Sequence, residues 1–204
     1  MFIERPPFFY RILFPGAVWR LPDKEKKCVY LTFDDGPIPE ITPWVLDVLD
    51  KYELKATFFM VGDNVRKHPE VYQEVVKRGH RVGNHTFNHI QGLRYWTRSF
   101  LANVKKAAEL IPSSLFRPPH GYIRLLQLLF LRRSYKIIMW DVVTRDYSRM
   151  RTPQQTLDVV KEYARNGSII VFHDSLKSEP NLKGALIPSI EWLLKEGYAF
   201  KTLE

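Results

Sequence analysis

Cys28-Val29-Tyr30-Leu31-Thr32-Phe33-Asp34-Asp35-Gly36-Pro37 is an apolar, strand-forming run that stops on two adjacent carboxylates and a turn. A run this apolar reads as a strand covered on both faces, as in parallel sheets flanked by helices. Asp and Gly are ordinary turn residues, so the Asp34-Asp35-Gly36-Pro37 segment also reads as a plain turn. Carboxylates just past a buried strand nevertheless stand at the edge where parallel α/β folds keep their reactive groups.

Outward from this stretch the alternation continues. Residues 56–61, 80–84, 137–141, 168–173 and 199–202 read as further strands, rich in β-branched and aromatic residues. Residues 40–52, 69–78, 97–110, 123–132, 153–166 and 184–196 carry helical periodicity. Pro69 and Pro153 stand where a first helical turn tolerates proline, and Gly79, Gly167 and Gly197 follow helix ends. Repeated strand-helix units predict a parallel sheet covered by helices, either closed as a barrel or open and doubly wound. Asp34-Asp35, His85, Asp141 and His173 are all expected at the C-terminal ends of strands. No linker or repeat divides the chain.

Bulk composition narrows the function classes. With 204 residues, 45% of them hydrophobic, the chain suits one domain with an ordinary core, and disorder is excluded. A formal charge of +9 favours an anionic partner such as a glycan, a phosphate-bearing carrier or a lipid surface. The basic residues are scattered and no groove-reading motif accompanies them, so no nucleic-acid partner is expected. The single Cys28 rules out an internal disulfide and reads as a buried, inert thiol.

Arg5, Arg11, Arg20, Pro6, Pro7 and Pro15 interrupt the aromatic first twenty residues, so no signal-peptide core is read there. Nowhere does an apolar run reach the roughly 18 residues of a spanning helix. The expectation is a soluble chain, cytoplasmic or peripheral at the cell envelope, with an aromatic N-terminal segment suited to lie on a membrane. Oligomeric state is not legible.

If His85 and His89, four residues apart, lie on one helical turn, they share one face with Cβ atoms about 5–6 Å apart. With Asp34 or Asp35 they make two imidazoles and a carboxylate, a set that leaves positions open for water and substrate as a catalytic metal site requires. The set suits zinc, while cobalt, nickel, manganese and iron accept similar donors. His173 ends an apolar run that would hold its ring rigidly, and two prolines fix the direction of Arg117. Each residue also has a plainer reading, as a surface histidine, a core histidine or a surface arginine.

Together these segments resemble the polysaccharide deacetylase family, the carbohydrate esterases with a NodB-like domain. Thr32 to Gly36, His85-Thr86-x-x-His89, Arg117-Pro118-Pro119-His120-Gly121, Trp140 to Tyr147 and Ile170 to Asp174 are similar to its five motifs, in order. The resemblance implies an α/β fold, a distorted (β/α)7 TIM-like barrel in a single domain, spanning 27–204, with 1–26 as an N-terminal extension packing on the barrel. It also implies one divalent metal ion and hydrolysis of an acetyl group from an N-acetylated amino sugar of a peptidoglycan- or chitin-like glycan.

Carried over by position, Asp35, His85 and His89 would bind the metal. Asp34 would be the general base, paired with Arg117, which would hold it ionised. His173 would be the general acid, paired with Asp146, and His120 would offer its backbone N–H to the oxyanion. Tyr122, Trp140, Tyr147 and Phe172 would contact the substrate. The chain departs from the family pattern at His120, where tyrosine is frequent, at Val143, where another aspartate is common, and at Tyr147, in the place of a tryptophan. Val171-Phe172 stands for a Leu-Leu pair. Two other readings accompany this one: a deformylase or deacylase of a lipid-linked sugar, and a glycan-binding protein without turnover. The latter would lack a ligand, base or acid, and none is missing.

Overall fold

The computed structural model describes residues 4–204. In chain order the elements are α1 (Phe8–Ile12), β1 (Cys28–Asp34), α2 (Thr42–Lys51), β2 (Thr57–Met60), α3 (Gly62–Lys67), α4 (Pro69–Lys77), β3 (Arg81–Asn84) and α5 (Thr97–Ala108). They continue with β4 (Leu115–Phe116), α6 (Leu125–Leu131), β5 (Lys136–Ile137), β6 (Val142–Val143), α7 (Pro153–Tyr163), β7 (Ser168–His173), α8 (Glu179–Lys195) and β8 (Ala199–Phe200). The strands form one parallel sheet in the order β5-β4-β3-β2-β1-β7-β6, with β8 beside the start of β1. Helices cover the convex side, giving the distorted (β/α)7 barrel of a single domain.

β1 lies inside the sheet, between β2 and β7, and all seven of its residues are buried. Side chains alternate across a strand, and the two faces of β1 divide accordingly. Val29, Leu31 and Phe33 join a core with Val45, Leu46 and Leu49 of α2 and Leu182, Leu186 and Ile190 of α8. Cys28 and Tyr30 look inward, with Phe59, Leu115, Ile138 and Ile169. The same alternation carries Thr32 and Asp34 to the barrel interior.

Helix ends follow local chemistry. Pro69 and Pro153 open α4 and α7. Thr152 caps α7: its hydroxyl accepts from Gln155 N at 3.2 Å while Gln155 Oε1 accepts from Thr152 N at 3.0 Å, a reciprocal box that satisfies two otherwise orphaned donors.

Two expectations are corrected here. Residues 137–141 are not one strand: pairing with β4 ends at Ile137 and pairing with β7 begins at Val142, because the chain crosses between the sheet's two edges there. Asp141 therefore precedes β6, beside Ile169 near the start of β7, at the foot of the barrel and away from the other polar residues. Its fully buried carboxylate accepts from Arg11 at 2.7 Å, Arg165 at 2.7 and 2.8 Å and Ser168 at 2.8 Å, a structural role. Those charge-assisted bonds outweigh the burial that would raise it, and hold it down at about 2.

The open seam between β5 and β6 is filled by the segment ahead of β1. Val18 exchanges backbone hydrogen bonds with Ile137 and Met139, each 2.8 Å, and Arg20 bridges to Ser168. Leu21 N donates to Gly167 O at 2.9 Å. Gly167 has φ +80°, and a Cβ there would stand 2.2 Å from the Pro22 backbone, so only glycine fits this approach.

Candidate active site

The polar residues at the upper edge come from five strand ends. Asp34 closes β1 and stands in register with His173 at the end of β7. Asp35, with φ 85°, turns out of the strand, so successive carboxylates reach one cleft instead of opposite faces. Asn64 Nδ2 pins that turn by donating to Asp35 O at 2.8 Å.

Asp34 is 4% exposed and faces Arg117, whose guanidinium donates to Asp34 Oδ1 at 2.6 Å and to Thr32 Oγ1 at 2.8 Å. The far side of the same guanidinium donates to Met139 O at 3.1 Å, and its plane lies 4.1 Å from the Phe59 ring centroid. Arg117 thus crosses the barrel interior from β1 to the β5–β6 segment, fully buried. Its carbonyl has a second use: His85 Nδ1 donates to it at 2.8 Å, which fixes the tautomer and leaves Nε2 as the free lone pair.

His85 and His89 do not share a helical turn, the condition under which spacing alone would bring their rings together. They lie in a loop after β3 in which Thr86 and His89 adopt left-handed φ of 65° and 53°. Asn84 Oδ1 accepts from Thr86 N, and Asn103 Oδ1 on α5 accepts from Phe87 and Asn88 N, so side chains replace the ladder a helix would supply. The rings still converge, 5.1 Å between centroids. Ligand atoms of Asp35, His85 and His89 all lie within 4.8 Å of one another, with His89 Nε2 at 3.1 Å and His85 Nε2 at 3.8 Å from Asp35 Oδ1. Among the described residues this is the one such cluster.

Electrostatics favours the ligating forms. Burial pulls His85 down to about 4, against the pull of Asp34 and Asp35, so its imidazole is neutral near pH 7. Burial alone would raise Asp35; the hydrogen bond from His89 and the charge of His173 reverse this and hold its carboxyl well below the usual range. A neutral imidazole and an ionised carboxylate are what a hard or borderline cation needs. The donors present fit a single divalent ion.

Across the cleft, His173 Nδ1 pairs with Asp146 Oδ1 at 2.7 Å, and Asp146 Oδ2 accepts from His173 N at 2.7 Å. Burial opposes protonation of His173, but Asp146 overrides it and lifts the imidazole to about 9. Asn181 on α8 anchors the Asp146 loop by donating to the carbonyls of Asp146 and Ser148. The Tyr147 ring meets His173 edge-on at 4.9 Å.

His120 has φ 58°, and among the described residues its backbone N–H meets no protein acceptor. Its ring lies 4.9 Å from His89 and 6.1 Å from Tyr122, which is half exposed. Trp140 backs this turn: a Cβ on Gly121 would stand 2.5 Å from its indole, while its own Nε1 is buried without a partner. Phe172 is placed elsewhere than expected. Strand alternation points it away from His173 into the sheet-helix core, stacked 6.2 Å from Phe33 and fully buried, so it cannot touch a substrate. Val171, on the inner face with His173, is the neighbour of that cleft.

Asp174 carries a task that no sequence reading assigned. Fully buried, it accepts from Gly36 N at 3.1 Å and Thr42 Oγ1 at 2.6 Å, holding the turn after Asp35. A Cβ on Gly36 would stand 2.1 Å from Asp174 Oδ2, which explains the glycine. The only signal for it in the chain is its place directly after His173.

Similarity to known proteins follows the same residues. A family model described as Polysaccharide deacetylase matches residues 22–126. A peptidoglycan-N-acetylglucosamine deacetylase of Bacillus cereus is 33% identical over 195 residues, covering 92% of this chain and 91% of the relative. A peptidoglycan-N-acetylmuramic acid deacetylase of Bacillus subtilis is 31% identical over 89% of this chain, which spans only 39% of that longer relative. Among solved structures, the crystal structure of a peptidoglycan N-acetylglucosamine deacetylase superposes with a TM-score of 0.84 at 28% identity, covering 97% of this chain and 95% of the other.

Proposed function

The chain belongs to the polysaccharide deacetylase family, hydrolases acting on carbon–nitrogen bonds, and from that premise we propose that its cleft removes acetyl groups from N-acetylated amino sugars of a peptidoglycan- or chitin-like glycan in a reaction that depends on one divalent ion. The observation that carries this reading is the pairing at the tips of β1 and β7. Asp34 and His173 stand in register, each with its own buried partner, Arg117 and Asp146, beside a three-donor cluster.

Asp35, His85 and His89 would hold the ion, zinc being well suited to two imidazoles and a carboxylate, with cobalt, nickel, manganese and iron as alternatives. When bound, such an ion polarises an acyl carbonyl and makes water more acidic. The protein's own groups perform the proton transfers. Arg117 engages Asp34 Oδ1, so Oδ2 is the oxygen that takes the proton from the attacking water. The oxyanion on the acyl carbon accepts from the backbone N–H of His120. His173, protonated because of Asp146, gives its Nε2 proton to the departing amine, and acetate is released.

Tyr122 and Tyr147 flank this cleft on the His120 and His173 sides and support stacking on sugar faces; Trp140 supports the turn that carries His120. Chelation tests the reading. Acetate release from N-acetylglucosamine oligomers or peptidoglycan is expected to disappear on removal of divalent ions and to return when one is restored. Turnover indifferent to chelator would sink the metal dependence.

A further inference from the structure

α1 and α6 share an unusual pattern. Phe8, Phe9, Ile12 and Leu13, at and just after α1, are exposed, Phe8 by 79%. Leu125, Leu126, Leu129 and Phe130 of α6 are exposed at the same i, i+1, i+4, i+5 spacing, Leu126 by 61%. A stripe one turn long on each helix therefore points large apolar groups into water.

The stripes belong to one face. Tyr10 and Phe14 beneath the first and Leu128 and Leu131 beneath the second pack into a single cluster around Trp19. Gly16, just past the first stripe, lies against the Arg132 guanidinium at the end of α6. Leu93 and Trp96, 50% and 80% exposed, extend the face toward the cleft, and Gly92 N donates to Tyr122 O at 2.9 Å. Through Tyr122 and His120 the face borders the metal-ligand cluster. Soluble monomers seldom expose contiguous apolar area beyond a few hundred Å².

Charge identifies the occupant. Arg94, Arg98, Arg124, Arg132 and Arg133 are exposed around the face, and the sole carboxylate between His89 and Lys136 is Glu109. Near α1 both acidic residues are already neutralised, Glu4 by Arg145 and Arg151 and the buried Asp141 by Arg11 and Arg165. Apolar side chains framed by guanidinium groups, with almost no carboxylate among them, match an acyl layer below anionic headgroups. No helix among the described residues is long and apolar enough to cross a membrane.

We propose that the face formed by α1, α6 and the Leu93–Trp96 turn docks on an anionic bilayer and presents the cleft to acylated amino sugars held at the membrane surface. The docking stands on the face alone; the nature of the sugar rests on the deacetylase reading.

The test is co-sedimentation of the full chain with phosphatidylcholine vesicles, with and without phosphatidylglycerol. Binding is expected only with the anionic lipid and should weaken as salt rises. A variant carrying Phe8→Ser, Phe9→Ser, Leu126→Ser and Phe130→Ser should bind about tenfold more weakly or less, with its circular dichroism and its turnover of soluble chitooligosaccharide unchanged. Vesicle binding by the variant equal to that of the parent chain would overturn the proposal. So would a dimer that the same substitutions dissociate, since a second copy would then cover the face. Loss of docking with soluble turnover intact leaves the deacetylase reading standing, and vesicle binding without deacetylation fails that reading alone.

Discussion

Asp34 and Asp35 are chemically identical neighbours placed in different work by what each meets. Asp34 stays on the inward face of β1 against a buried guanidinium, while Asp35 turns through a left-handed φ toward two imidazoles. Asp34→Asn is therefore expected to lower acetate release by about 10²–10⁴-fold while bound metal, read by elemental analysis, stays near the parent level. His85→Ala should instead lose the metal. An active Asp34→Asn enzyme would remove the base assignment. His173 gives a pH signature. Asp146 raises its pKa against burial, so the proton-donating form persists above the ordinary histidine range and the alkaline limb of kcat/KM is expected above about 6.5. Asp146→Asn removes the charge that raises it, and the limb should move down toward the ordinary histidine value of about 6.5. A limb that stays in place in that variant would mean another group donates the proton.

Among the elements, strand ends and the loops after them carry the polar side chains of the cleft, and neighbouring elements hold those loops. Asn103 of α5 fixes the His85–His89 loop, Asn181 of α8 fixes the Asp146 loop, and Asp174 after β7 fixes the turn at Gly36. Asp174 is held up at about 8, because burial outweighs the hydrogen bonds from Thr42 and Gly36. The folded value exceeds the unfolded value of 3.8, so the fold binds more protons than the unfolded chain between these limits and loses stability as pH rises from about 4 to about 8. Asp174→Asn should flatten that slope in denaturant titrations run across the window; an unchanged slope would place the proton elsewhere. The helix ends obey simpler rules: Thr152→Ala should cost about 1 kcal/mol, measured by urea unfolding, through loss of the α7 cap.

At the scale of the whole molecule, the barrel is completed by parts distant in sequence. Val18 and Arg20 fill the seam between β5 and β6, and Asp141 gathers Arg11, Arg165 and Ser168 at the foot. Asp141 is held down at about 2, below its unfolded 3.8, so it contributes stability above pH 4 that is lost as pH falls through about 2, the reverse of Asp174. Removing a buried partner of this kind costs about 3–5 kcal/mol. Asp141→Asn should therefore lower the melting temperature at neutral pH and lose its difference from the parent chain near pH 2; a constant difference would exclude the linkage. The chain's own pattern states the alternation of strands and helices, the covering of β1 on both faces and the order of the five motifs, because apolar runs, helical period and motif order are local properties. Legibility stopped where distant segments decide. The two-residue strand Leu115–Phe116 is too short to carry a period, and 137–141 looked continuous because nothing local marks a chain that leaves one sheet edge for the other. The spacing of His85 and His89 would bring the rings together only on a helical turn, whereas Asn103 and two left-handed residues bring them together in a loop. The family resemblance implies a substrate contact for Phe172, and the pleat sends it to the opposite face. Sequence alone thus determined the order of strands, helices and motifs; tertiary structure decided which polar groups reach one edge of the sheet, Asp141 not among them, and which way each one points, since placement depends on pleat, register and hydrogen bonds from elements far along the chain.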